Sequence, residues 1–93
     1  MSEPDRKIVR EALFEAIENQ MKAGTPPATK ETFDRLRAAG HSRKETMKFL
    51  ACVLLCELNE MIRDKRMYDE TNYINRLYML PQLPWEYEAE DNA

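Results

Sequence analysis

The chain has 93 residues, of which 33% are charged and 43% are hydrophobic, and its formal net charge at pH 7 is −3. This length suits one domain with a modest core, and the composition excludes wholesale disorder. Four acidic residues and no basic residue follow Trp85, so the rest of the chain holds 14 basic and 13 acidic residues. A nearly neutral body gives no general reason to expect nucleic acid or an anionic membrane as a partner.

The first predicted helix runs from about Glu3 to Ala23. Ser2 is a suitable N-cap, and Gly24 is the left-handed residue that typically ends a helix. Apolar residues recur along this segment at three- and four-residue spacing, which predicts one stripe facing the core. The stripe consists of Ile8, Val9, Ala12, Leu13, Ala16, Ile17 and Met21.

Two prolines, Pro26 and Pro27, then break the chain, since each restrains the residue before it. Thr29 can cap a short second helix over residues 30–39, and Gly40 ends it. His41 then bridges to Ser42, the predicted N-cap of the third helix.

The third helix is the central element of the predicted fold. Ser42 and Glu45 form a Ser-x-x-Glu capping box, which starts a helix over about residues 43–66. An eight-residue run without charge, residues 49–56, lies inside it. A helix that is apolar all round must be covered on every side. We therefore predict an all-α, small four-helix bundle around this long helix.

A fourth helix, over residues 70–79, is predicted after Asp69, which can cap it, and Pro81 stops it. The proline-rich segment that follows is too apolar for a free tail, so we expect it to lie extended across the bundle, anchored by Leu83 and Trp85. The predicted domain is residues 1–85, and residues 86–93 form an acidic, disordered tail.

The groups that support catalysis or metal binding are few. His41 is the one histidine, and Cys52 and Cys56 lie one helical turn apart in the uncharged run. We interpret the cysteines as buried, reduced thiols of a cytoplasmic protein. The run is far shorter than the ~20 residues needed to span a bilayer. We predict no metal, no cofactor and no membrane partner.

Three carboxylates follow the uncharged run: Glu57, Glu60 and Asp64. Clustered carboxylates can raise one another's pKa values and carry out acid–base catalysis. The alternative is a solvated surface patch paired with neighbours such as Arg63 and Arg66. We favour the patch and predict that the protein is not an enzyme.

Residues 29–58 also have the outline of a helix-turn-helix motif: a short helix, a glycine turn and a basic helix start. In this alternative the chain is a nucleic-acid-binding regulator. Its candidate nucleic-acid-binding residues are Arg35, Arg37, Arg43, Lys44 and Lys48.

The preferred hypothesis is a protein–protein interaction module or a homodimer. Two short helices and the first helix leave part of the long third helix uncovered, and leftover apolar surface usually marks an interface. Pro81, Gln82, Leu83 and Pro84 match a Pro-x-x-P pattern, which SH3-like grooves bind, so the C-terminal segment is either core or a binding motif. The candidate partner-binding residues are Trp85, Leu83, Tyr87, Met61 and Met79.

From Gly40 onward the chain resembles short all-helical bacterial domains of unknown function. The matching elements are Gly40-His41-Ser42, the leucine-rich helix with Glu57, its Arg63-Asp64-Lys65-Arg66 end, Asp69, Tyr73, Leu77 and Leu80-Pro81-Gln82-Leu83-Pro84. The resemblance covers about half of the chain. It implies a bacterial, cytosolic setting and transfers no activity.

Overall fold

The computed structural model of the chain describes the backbone of residues 3–83 and the side chains of residues 7–83. This part of the chain forms four α-helices and no strand: α1 (Glu3–Ala23), α2 (Pro27–Ala38), α3 (Arg43–Asp64) and α4 (Glu70–Met79). The prediction of an all-α protein with four helices is therefore confirmed. The predicted cap at Ser2 and the predicted tail, residues 86–93, lie outside the described residues.

Several helix ends form at the residues that the sequence pattern indicates. Gly24 and Gly40 have φ angles of 70° and 108°, which glycine adopts without a steric penalty. The Ser42 hydroxyl accepts a hydrogen bond from the backbone N–H of Glu45 at 3.0 Å. The Asp69 carboxylate accepts one from a backbone N–H three residues later at 3.1 Å. These caps fix where α1, α2, α3 and α4 meet the loops.

The second helix begins earlier than predicted. It starts at Pro27 rather than Lys30, and Pro26 is the N-cap residue with extended backbone. A proline at the first helical position loses only an N–H that would have no partner inside the helix. Thr29 therefore lies within α2 instead of capping it, and its buried hydroxyl donates to Gln20 Oε1 at 2.7 Å.

The third helix ends two residues before the predicted boundary. Lys65 takes the left-handed conformation, with φ 54° and ψ 47°, and its N–H bonds back to the carbonyl of Met61. Glycine or asparagine usually occupies such a position. A lysine there gives no signal of a helix end, so the sequence predicts that the helix continues to Arg66.

α3 packs against each of the other three helices. Leu50 and Val53 are fully buried, and no residue of the uncharged run is exposed. Neighbouring helices contribute the rest of the core. Its buried members outside α3 are Leu13, Ile17, Ala28, Leu36, Tyr73, Leu77 and Leu80.

The first half of α1 differs from the predicted stripe. Leu13 and Ile17 are buried, whereas Ile8 is 62% exposed and Val9 is 44% exposed. Ala12 is exposed as well. Periodicity identifies which face of a helix is apolar, but it does not tell how much of that face a neighbour covers. The prediction that the whole stripe faces the core is wrong for this half.

A buried polar junction ties α1 to α2 and α4. Gln20 Oε1 accepts hydrogen bonds from the Thr29 hydroxyl at 2.7 Å and from the Tyr73 hydroxyl at 3.0 Å. Thr29 and Tyr73 are both fully buried. Burial raises the pKa of Tyr73 to about 12, so the phenol stays protonated and keeps donating at neutral pH.

Two other buried hydroxyls have no hydrogen-bond partner among the described residues, those of Thr32 and Thr46. A buried polar group without a partner costs about 1–3 kcal/mol. We expect Thr46→Val, which exchanges the hydroxyl for a methyl group, to raise the free energy of unfolding by about 1 kcal/mol in urea denaturation. Thr29→Val is the matched control, because its hydroxyl is bonded and its loss should destabilise. A destabilised Thr46→Val variant would contradict this account.

Candidate functional site

A fully buried carboxylate, that of Glu57, lies near the end of α3. Arg66 donates two hydrogen bonds to it, from Nη1 to Oε2 at 2.8 Å and from Nη2 to Oε1 at 3.1 Å. The backbone N–H of Asp69 donates to Oε2 at 3.0 Å, and Asn72 Nδ2 donates to Oε1 at 3.1 Å. A carboxylate offers about four acceptor positions, so these four bonds use all of them.

Glu60 and Arg76 extend this arrangement into what we call the Glu57 cluster: Glu57, Glu60, Arg66, Asn72 and Arg76. Arg66 Nη2 also donates to Glu60 Oε1 at 3.1 Å, and Arg76 Nη2 donates to Glu60 Oε2. Arg76 Nη1 lies 4.0 Å from Glu57 Oε1. The cluster therefore links α3 to the connecting residues 65–69 and to α4.

The Glu57 cluster keeps both of its carboxylates charged. The hydrogen bond from Arg66 lowers the pKa of Glu57 by more than burial raises it. The hydrogen bond from Arg76 likewise outweighs burial and lowers the pKa of Glu60. A general acid at neutral pH needs a raised pKa, and a general base needs a free lone pair facing its substrate. Glu57 has a lowered pKa, and its four hydrogen bonds leave no lone pair for a substrate. Its geometry therefore supports a structural role.

The interpretation of these carboxylates as a solvated patch is correct only for part of the group. Asp64 is exposed and lies 3.2 Å from Arg63. Glu57 is instead enclosed, because α4 and the connecting residues fold over it. The α4 donors, Asn72 and Arg76, are not among the residues predicted from the sequence. Their spacing of four residues on one face of α4 is the signal that could have matched them to acidic residues on a neighbouring helix.

Arg35, the first of the predicted nucleic-acid-binding residues, is used inside the fold. Its Nη1 donates to the Leu80 carbonyl at 2.8 Å, and its Nη2 donates to the Leu77 carbonyl at 3.1 Å. The last carbonyls of a helix have no partner within the helix and attract positive charge. Arg35 therefore holds the end of α4 against α2.

The other four predicted basic residues divide into two pairs. Arg37 donates to the carbonyl of residue 41 at 2.9 Å. Arg43 forms an ion pair with Glu18, and its Cζ lies 5.4 Å from the centroid of the Phe33 ring. Lys44 and Lys48 are exposed and form no ion pair with any described residue. Three of the five candidate cations thus have partners within the fold, which weakens the nucleic-acid hypothesis.

The candidate metal ligands stay apart. His41 Nδ1 lies 3.2 Å from Glu45 Oε1, and the imidazole packs edge-on against the Phe49 ring with centroids 5.2 Å apart. Cys56 is 1% exposed and Cys52 is half-buried. No three histidine, cysteine, aspartate or glutamate side chains in residues 7–83 are grouped closely enough to hold a metal ion.

Large apolar side chains are exposed on both long helices. Ile8 and Val9 of α1 and Leu58 and Ile62 of α3 are among them, and we refer to these four residues together as the α1/α3 apolar face. Leu58 is 38% exposed and Ile62 is 77% exposed. Isolated exposed apolar residues are common on proteins, whereas grouped ones mark contact surfaces.

The predicted partner-binding residues are distributed differently. Leu83 is half-buried and packs against the core, and Met61 is half-buried on α3. Met79 is 56% exposed on α4. Trp85 and Tyr87 lie outside the described residues. None of the four residues of the α1/α3 apolar face is among the candidate site residues predicted from the sequence.

No protein-family model matches this chain, and searches of curated proteins and of solved structures also found no match. Among the helices that the structure describes, none combines the length and the apolar character needed to cross a bilayer. The geometry of the described residues is therefore the basis for assigning a function.

Proposed function

We propose that this protein is a non-enzymatic interaction module that pairs with a second copy of itself through the α1/α3 apolar face. The observation that carries the proposal is that apolar side chains pass from buried to exposed along each of two packed helices. In α1 the stripe passes from buried Leu13 to half-exposed Val9 and exposed Ile8. In α3 the stripe passes from Leu54, 8% exposed, to Ile62, 77% exposed.

We infer that both changes occur towards the same side of the molecule. The ion pair between Glu18 and Arg43 joins the last third of α1 to the first residue of α3. The two helices contact each other extensively, and each is about 30 Å long. This contact supports an antiparallel arrangement, in which the first half of α1 lies beside the middle of α3. We infer that Ile8, Val9 and Leu58 border one region, which Ile62 extends past the start of α1.

A second copy of the chain suits this region because the region carries charges of both signs. Lys7 and Glu11 are exposed on the first half of α1, and Arg63 and Asp64 are exposed at the end of α3. A two-fold interface brings each surface against its own copy, so a surface of one sign would repel itself. Mixed charges around an apolar centre permit self-pairing with complementary rims.

We also propose the finer architecture predicted from the sequence: α3 as the centre of the bundle, with the proline-rich segment packed on it. The complete burial of Leu50 and Val53 supports the central position of α3. The packing of Leu83 against the core supports the position of the segment. In this arrangement the central helix is covered at its middle and open near its end, where the second copy contacts it.

The test is a charge placed in the α1/α3 apolar face. We expect Ile62→Glu to weaken self-association by at least about tenfold, because the new carboxylate would have to be desolvated in the interface. Sedimentation equilibrium measures the dissociation constant. Ile62 is largely exposed, so the substitution should leave the fold intact, which circular dichroism checks.

The matched control is Tyr78→Glu on α4. Tyr78 is 57% exposed and belongs to neither helix of the α1/α3 apolar face. This variant should associate like the unchanged protein. Equal weakening by the two substitutions would show that exposed apolar area in general, rather than this face, drives association, and would overturn the proposal.

A further inference from the structure

A second surface feature is a groove of about 570 Å³ along the start of α3. We call it the Lys44 groove. Its volume falls within the roughly 300–1,000 Å³ of sites that hold small ligands or single large side chains. Phe49 and Cys52, both half-buried, supply its apolar part. Its lining residues are Ser42, Lys44, Glu45, Lys48, Phe49, Cys52 and Leu83.

The charge of the Lys44 groove is positive. Lys44 and Lys48 lie one helical turn apart, so their side chains are neighbours on one face of α3. Neither forms an ion pair with a described residue. The acidic member of the lining, Glu45, already lies 3.2 Å from the ring of His41. Among the described residues, the groove therefore offers two lysines without an ion pair beside the side chains of Phe49, Cys52 and Leu83. We call these three side chains the apolar floor of the groove.

The described chain ends at this groove, because Leu83 is part of its lining. Pro84 and Trp85 follow directly in the sequence. Two residues span at most about 7 Å, so the Cα of Trp85 cannot lie farther than that from the Cα of Leu83. The segment that starts at Pro84 is therefore long enough to reach the groove.

We propose that the Lys44 groove binds residues 84–91 of the same chain, with the Trp85 indole on the apolar floor. The acidic side chains that follow the indole then lie near Lys44 and Lys48. This segment carries four acidic residues and no basic one: Glu86, Glu88, Glu90 and Asp91. A large aromatic ring followed by acidic groups complements an apolar floor flanked by two lysines. The inference does not depend on self-association through the α1/α3 apolar face.

Trp85 is the one tryptophan of the chain, so its fluorescence reports on this contact directly. We expect its emission in the full-length protein to lie at shorter wavelength than that of a solvated indole, and to be protected from quenching by acrylamide. Lys48→Glu should shift the emission to longer wavelength and increase quenching several-fold. Lys22→Glu, an equal charge change on α1, should change neither. Equal behaviour of the two variants, or a fully solvated indole in the unchanged protein, would overturn the proposal.

Cys52 provides an independent readout. We expect Trp85→Ala to increase the rate at which a water-soluble thiol reagent labels Cys52 several-fold, with labelling of Cys56 unchanged as the internal control. If Trp85→Ala loses helicity, the fluorescence of Lys48→Glu still decides the question. If the protection of the Trp85 indole and of Cys52 disappears on dilution, the groove binds the tail of a second copy. That result would refute binding within one chain.

Discussion

Glu57→Gln is expected to lower the free energy of unfolding by about 3 kcal/mol, because it removes the buried negative charge to which Arg66, Asn72 and the backbone N–H of Asp69 all donate. The amide keeps the size of the side chain but replaces one acceptor oxygen with a donor. That donor would face Arg66 or the N–H groups that now bond to the carboxylate. Urea denaturation followed by far-UV circular dichroism measures the change.

The matched control is Asp34→Asn. Asp34 pairs with Lys30 at 2.9 Å one turn away on α2, and both side chains are more than half exposed. Exposed pairs of this kind contribute about 0.3–0.5 kcal/mol. A Glu57→Gln variant no less stable than Asp34→Asn would show that the buried carboxylate does not hold α4 in place.

The Glu57 cluster also predicts how stability depends on pH. The folded-state pKa values of Glu57 and Glu60 lie below their ordinary value of 4.5. A depressed pKa contributes stability that is present above the ordinary value and is lost as pH falls through the folded value. We therefore expect stability to fall as the solution is acidified below pH 4.5. Glu57→Gln should show a shallower fall, since one of the two carboxylates no longer titrates.

The second large effect is expected at Gln20. Gln20→Leu removes the oxygen that accepts from Thr29 and Tyr73, so two buried hydroxyls lose the acceptor that they share. Each such group costs about 1–3 kcal/mol, so the free energy of unfolding should fall by about 2–3 kcal/mol. Thermal and urea unfolding, monitored together, measure the loss.

Tyr73→Phe separates the hydrogen bonds from the packing. It removes one donor and keeps the buried ring, so it should cost about 1 kcal/mol. In the Gln20→Leu background the same change should be nearly neutral or stabilising, because the hydroxyl it deletes has already lost its acceptor. Full additivity of the two substitutions would contradict a shared hydrogen bond.

The sequence determines much of this fold through its helix ends. Gly24, Gly40, Ser42 and Asp69 mark four boundaries, and the structure uses each of them as expected. Such residues act locally, since a cap bonds to a backbone group a few positions away. The local character of caps explains why α1 and α4 have the predicted bounds. Pro27 suits a helix start, but the prediction places it in the break, so α2 begins three residues and ends one residue before its predicted bounds. Lys65 carries no cap signal, so α3 ends two residues before its predicted bound.

The candidate sites were harder to predict because they depend on packing between distant residues. Burial of Glu57 requires Asn72, fifteen residues later, to lie beside it. Likewise Arg35 bonds to carbonyls more than forty residues away, and its charge alone suggested nucleic acid. The exposure of Ile8 depends on how much of the first half of α1 its neighbouring helices cover. Periodicity on one helix carries none of this information.

Self-association is the central claim of this account, and the weight-average mass of the unchanged protein tests it most directly. Sedimentation equilibrium over a wide range of concentrations should show the mass rising from the 11.0 kDa of one chain towards twice that value. A mass that stays at 11.0 kDa at every concentration would contradict pairing through the α1/α3 apolar face.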